Sequence, residues 1–193
     1  MRLPYAPSTP PSPSSAAAYT QISTRRAPHP LLALDRTLLH SPPIASGWSS
    51  FLGAIRTQTS LPGSIRELCI CRVAALNGAE YEWAHHIGIL RSEGGVGEIG
   101  EREVRNGIRE VEGDLNERQW AVMTYTDAMT RNVKVEKEIF ERLKIWFGET
   151  EIVEITATVA AYNCVSRFLV ALDVGEMNEN LGEKKEEAGE KRE

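Results

Sequence analysis

Cysteine is nearly missing from this 193-residue chain, and the three present are poorly placed for redox or metal work. Cys69 and Cys71 form a C-x-C pair, which is neither the redox C-x-x-C nor a zinc-ligand spacing, and Cys164 stands alone. An odd, small thiol count without a secretory leader pattern points to reduced thiols and a cytoplasmic protein, and no metal or other cofactor is expected. Basic charge is also in deficit, since 22 Lys and Arg against 27 Asp and Glu give a net charge of −5. A nucleic-acid binder clusters basic residues on one face, so that class is disfavoured. No apolar run approaches the roughly 20 residues of a bilayer span, and no membrane partner is expected. Strand-like alternation is missing too, which leaves an all-α class.

What is present is ordinary globular material: 41% hydrophobic and 25% charged residues, enough for one domain with a sizeable core. Residues 1–17 hold five prolines and no acid, so they read as a flexible arm that buries too little to offset its ordering entropy. The domain proper is expected over 18–176, with Tyr19, Ile22 and Leu31 as its first apolar anchors. Residues 177–193 mix Glu, Lys, Gly and Asn without period and read as a disordered charged tail.

Within the domain, His40-Ser-Pro-Pro-Ile reads as a loop and Trp48 to Ile55 as a short helix. Leu61-Pro-Gly-Ser breaks the chain, with Ser64 a plausible N-cap, and apolar positions at helical spacing follow from Ile65 to Leu76. Asn77-Gly78 ends that helix in the left-handed conformation, and a second helix runs to Leu90. Residues 98–113 are polar and helical at most in short pieces, and Asn116 caps a further helix. Lys134 to Phe147 is amphipathic. Glu151 to Val174 is apolar over most of its surface, as befits a core or subunit-interface helix. Arg66-Glu67-Leu68 to Ala74-Ala75-Leu76-Asn77 also echoes Val153-Glu154-Ile155 to Ala160-Ala161-Tyr162-Asn163, which two similar helical units about a pseudo-twofold would explain.

The chemistry concentrates in Ile65 to His86. Glu82 and His86 are four apart on one helix, so they share a face within side-chain reach. Glu82 also falls in the first turn, where the helix dipole favours a carboxylate. The tight turn at Asn77-Gly78 can bring Glu67 back to that face. Two carboxylates around an imidazole can move a proton at neutral pH. A plain surface pair is the bland alternative on spacing alone. His85 projects about 100° from His86 and reads as solvent-facing.

These residues carry a resemblance. RELCICRVAALNGAEYEWAHH, with LLHSPPIASGW, AIRTQTSLPGSIREL, TYTDAMTRNVKV and EIVEITATVAAYNCVSRFLVALDVGE, resembles the carboxymuconolactone decarboxylase family from about Ala27 to Glu176. The resemblance implies an AhpD-like helical bundle that assembles as a trimer or hexamer. The peroxidase branch of that superfamily uses a glutamate, a C-x-x-C pair and a histidine. On this chain the glutamate corresponds to Glu67 and the histidine to His86, whereas Ala79 and Glu82 stand where the thiols would be. Without a thiolate the peroxidase reading is the least favoured. The resemblance instead implies cofactor-free decarboxylation of a small lactone or carboxylic acid, with Glu67, Glu82 and His86 catalytic. His86 is then the proton donor, oriented by Glu82, with Glu67 a second relay. Arg167 and Asn163 are the candidate substrate anchors, and Arg66 is a further cation that can pair with nearby carboxylates. A hydrolase, isomerase or cyclase on the same site is the first rival, and a non-catalytic oligomeric scaffold the second.

Overall fold

Ile65 to Ala74 carries three charged residues, Arg66, Glu67 and Arg72, yet every position in it except Arg66 is buried. The computed structural model describes residues 1–178, and among these it contains nine α-helices and no strand. The buried segment lies in α4 (Gly63–Asn77), where Glu67 through Ala74 are buried without interruption. Four helices enclose it: α5 (Glu80–Ser92), α6 (Glu98–Asn106), α7 (Glu117–Asn132) and α9 (Glu149–Leu172). Outside them, α1 (Ala16–Arg26) and α2 (Ala33–Leu38) lie on α3 (Pro42–Thr57), and α8 (Lys137–Lys144) packs on α7 and α9. The expected all-α class is what the structure shows among the described residues.

Several local expectations change. Pro42 and Pro43 open α3 instead of sitting in a loop, because the first helical positions need no N–H partner. Ser64 is not a cap, since α4 begins at Gly63 with Pro62 before it. The polar stretch after residue 98 holds a nine-residue helix, and the amphipathic stretch after Lys134 is helical only over Lys137–Lys144. Asn116 does cap α7, accepting from Gln119 N–H at 3.0 Å. Gly78 closes α4 at φ 63° as expected. The turn it makes lays α5 back along α4.

The arm expected to be flexible is docked instead. Ala6 is 2% exposed, and its backbone exchanges bonds with Arg36: Ala6 N–H donates to Arg36 O at 3.2 Å, and Arg36 Nε donates to Ala6 O at 2.8 Å. Tyr19 Oη donates to Pro7 O at 2.9 Å, and His40 Nε2 lies 2.7 Å from Pro4 O. Proline removes donors but leaves carbonyls, and here side chains of the helical body satisfy them. Residues 179–193, most of the charged tail read from the sequence, lie outside the described residues.

The last helix takes the core position expected of it. Over its most apolar 18 residues α9 has a mean hydropathy of 1.4, which is long and apolar enough to cross a bilayer on composition. Its inward face instead packs on α4 through Ile155, Val159, Tyr162 and Val165. Where the two helices meet, Asn77 Nδ2 donates to Asn163 Oδ1 at 3.2 Å, joining the two residues that correspond in the internal echo.

Arg72 holds α4 in register. It is 2% exposed, donating to Asp127 Oδ1 at 2.5 Å and Oδ2 at 2.7 Å, and to the carbonyls of Val104 and Arg105 at 2.9 and 3.2 Å. One side chain thereby ties α4 to α6 and α7. Removing a buried charge from its partners strands them, at a cost of roughly 3 kcal/mol. Arg72→Met should lower the urea-unfolding free energy by about that amount. A loss below about 1 kcal/mol would show that packing alone holds α4.

Candidate active site

The antiparallel α4–α5 pair places Glu67 opposite His86, and the two bond directly: His86 Nδ1 lies 2.7 Å from Glu67 Oε2. Glu67 is 3% and His86 9% exposed. A carboxylate oxygen accepts, so Nδ1 carries the proton and Nε2 keeps its lone pair. Burial lowers the His86 pKa below its ordinary 6.5, against the pull of Glu67. His86 is therefore a neutral imidazole at neutral pH, with one nitrogen anchored and the other available as a base. The ring edge of His86 also meets Tyr162, with centroids 5.3 Å apart.

Glu82 lies on the same cavity but in a different state. It is 2% exposed, and neither carboxylate oxygen has a hydrogen-bond partner among the described residues. Burial raises its pKa well above 4.5, with Arg56 acting in the opposite sense. The helix dipole expected to favour its ionised form is worth about 1 kcal/mol, whereas an unpaired buried carboxylate costs several, so burial wins. Burial therefore favours the protonated form of Glu82. The anticipated Glu82–His86 bond does not form. Glu67, not Glu82, orients the ring.

These groups line a cavity of about 380 Å³. Arg56, Arg66 and Arg26 bring charge to it; Leu32, Leu34 and Leu169 bring apolar wall. Arg66 Nε reaches Glu67 Oε1 at 3.4 Å, and Arg26 bonds Asp35 at 2.7 and 3.1 Å. His85 is exposed as expected, its Nδ1 2.7 Å from Tyr81 O. Among the described residues, no group of three or more His, Cys, Asp or Glu side chains is arranged to hold a metal ion.

The two proposed substrate anchors lie elsewhere. Val165 and Leu169 of α9 face the cavity, and Asn163 and Arg167, each two positions from Val165, point about 160° away. Asn163 Nδ2 donates to Thr130 Oγ1 at 2.9 Å and Val159 O at 3.0 Å, and Arg167 Nη1 donates to Asn163 O at 3.0 Å. Both belong to a shallow depression over α7 and α9 with Cys164. Arg56 and Tyr162, which the sequence reading did not select, are the polar residues that do reach the centre. The signal for Arg56 was present: it follows the buried Leu52 and Ile55 on an apolar helix. No thiol lines the cavity. Cys69 and Cys71 are buried in α4, and burial pushes the Cys69 thiol up to about 12.

Holding Glu82 neutral links stability to pH. Its folded pKa lies above the ordinary 4.5, so its contribution is complete below pH 4.5 and is lost as pH climbs through the folded value. Glutamine mimics the neutral form at every pH. In thermal unfolding scans, Glu82→Gln should gain on the parent by a few degrees between pH 4.5 and pH 8. A difference that does not grow with pH would show that Glu82 ionises freely.

Comparison with known proteins agrees with this geometry. Residues 42–135, which include Arg56, Glu67, Glu82 and His86, match the carboxymuconolactone decarboxylase family. No curated protein matches the chain in sequence. Among solved structures, the chain is similar to the alkylhydroperoxidase AhpD core of an uncharacterized peroxidase-related protein from Ralstonia eutropha. Identity is 18%, coverage 90% of both chains and the TM-score 0.72. An uncharacterized peroxidase-related protein from Silicibacter sp. matches at 18% identity, 89% and 91% coverage and a TM-score of 0.71. The debrominase Bmp8, in complex with 2,3,4-tribromopyrrole, matches at 17% identity, 86% and 89% coverage and a TM-score of 0.63. The segment that matches the carboxymuconolactone decarboxylase family thus carries the Glu67–His86 pair, and the fold around it is AhpD-like.

Proposed function

We propose that the protein is a cofactor-free acid–base enzyme that decarboxylates a small lactone or carboxylic acid. The observation that carries this reading is Glu82: a buried, unpartnered carboxyl, its pKa raised by burial, lining a cavity beside an imidazole whose pKa burial lowers. Loss of CO₂ breaks a C–C bond and leaves its electron pair on the substrate carbon, delocalised onto a neighbouring carbonyl oxygen. Arg66, at the cavity wall, stabilises that oxygen. Glu82 then gives its proton to the carbon, and its carboxylate is reprotonated from solvent. This assignment departs from the sequence expectation, in which His86 donated. His86 Nε2, a base with its ring fixed by Glu67, instead suits the return of a proton to Glu82 through water.

The same free Nε2 supports the second reading, an isomerase, cyclase or hydrolase in which His86 takes a proton from carbon or water. Debromination belongs to the structural neighbour Bmp8, and a thiol chemistry has no thiol at this cavity to use. Assembly into a trimer or hexamer is part of the proposal. Exposed Ile44, Phe51 and Val153 supply apolar surface for it, and light scattering of the eluted protein checks it.

The test is purified protein with γ-carboxymuconolactone, followed by ultraviolet loss and CO₂ release. Glu82→Gln should lower kcat by about 10²- to 10⁴-fold, and His86→Ala should also lower it. The rate should fall on the acid side below pH 6.5, as His86 gains a proton, and on the alkaline side once Glu82 ionises. Absence of turnover would remove the decarboxylase reading. Turnover untouched by Glu82→Gln would remove its role as donor.

A further inference from the structure

The cavity and its margin carry more positive charge than the surrounding carboxylates use. Arg25 and Arg26 share the single carboxylate of Asp35, at 3.2 and 2.7 Å, and Arg66 approaches Glu67 at 3.4 Å. Arg56 differs, because among the described residues no carboxylate lies within ion-pair distance of it. Its Nε donates to Tyr162 Oη at 2.7 Å, which occupies one of five N–H donors. Tyr162 is fully buried and meets the His86 ring on its edge, so the phenol fixes the guanidinium against a rigid wall. Across the same cavity the Glu82 carboxyl accepts no bond from Arg56 or from any other described residue. A fixed cation with free donors therefore faces a buried, unpartnered acid, with open volume beside both.

We propose that Arg56 is the specificity residue of this cavity, receiving a carboxylate that the substrate keeps through the reaction. This rests on the acid–base reading above and adds to it which end of the substrate is recognised. A guanidinium that held the departing carboxylate would stabilise the charged ground state more than the transition state leading to neutral CO₂, and so would slow the step. A retained carboxylate carries the same charge before and after, so binding it orients the substrate without opposing the chemistry. Tyr162 is a positioning residue that sets the fork of Arg56. The ligand class is a small organic acid whose carboxylate accepts two parallel N–H bonds.

Calorimetric titration of the intact chain with (5-oxotetrahydrofuran-2-yl)acetate and with its primary amide tests this without turnover. The carboxylate should bind at least about tenfold more tightly than the amide. Arg56→Gln should abolish that preference, and Arg56→Lys should keep part of it, with circular dichroism checking that both variants fold. Tyr162→Phe should weaken carboxylate binding several-fold while leaving the amide unchanged. Equal binding of acid and amide, an Arg56→Gln variant that keeps the preference, or no binding of either at tens of millimolar would overturn the assignment. The two proposals fail separately. Arg56-dependent binding without turnover of γ-carboxymuconolactone removes only the decarboxylase reading, and turnover with an unchanged KM in Arg56→Gln removes only the anchor.

Discussion

The structure depends on burying α4 on all sides. A helix enclosed by four others has no solvent to satisfy its polar side chains, so each needs a protein partner. Arg72 finds Asp127 and two carbonyls, Asn77 finds Asn163 and Ser166, and Glu67 finds His86 and Arg66. These bonds set where the neighbours sit. Glu67 can bond His86 only if α5 runs back along α4 at one register, which the left-handed Gly78 permits. The pair that marks the site is thus also part of what aligns the two helices.

Glu82 departs from this rule, as do the buried Arg118 Nε, Trp120 Nε1 and Thr126 Oγ1. The two Glu82 oxygens go without partners, and the fold tolerates this because the protonated form carries no charge. The same desolvation acts on His86 with opposite sign, pushing the carboxyl up and the imidazole down. Both moves lead to a neutral group. Burial therefore favours an uncharged acid and an uncharged base side by side, with guanidiniums at the cavity wall. Environments that separate two titrating groups in this way characterise sites that move protons.

The all-helical class and the α4–α5 turn were legible in the sequence because each rests on local spacing, and the same spacing singled out Glu67, Glu82 and His86, which line one cavity. The sequence misjudged what depends on enclosure. The dipole argument for an ionised Glu82 is a local one, and only the surrounding helices reveal a desolvation cost large enough to reverse it. Proline-rich residues 1–17 looked unable to order themselves, which is true of the segment alone. The side chains of Tyr19, Arg36 and His40 supply the missing partners from elsewhere. Asn163 and Arg167 were placed at the site through a motif, yet a two-residue offset on α9 turns them to the opposite face. Arg56 was overlooked because nothing in its neighbourhood along the chain says that Tyr162, 106 positions away, will hold it.

The matched family segment and the cavity do not coincide, and the difference bears on what each can specify. Residues 42–135 contain Arg56, Glu67, Glu82 and His86, so the acid, the base and the unpaired cation all lie inside it. Arg26, Leu32 and Leu34 precede the segment, and Tyr162, Val165 and Leu169 follow it, yet all six touch the cavity or its cation. The preceding residues are fixed by Asp35, 1% exposed, which takes both Arg25 and Arg26 and also accepts from Leu32 N–H at 2.9 Å. A change in that wall alters cavity shape without touching a proton-transfer group. On the proposed reading, the family segment therefore speaks to the kind of proton chemistry, and the flanking helices decide which acid reaches it. A shared AhpD-like fold can accordingly carry neighbours named for peroxidase-related and debrominating roles without fixing the substrate here.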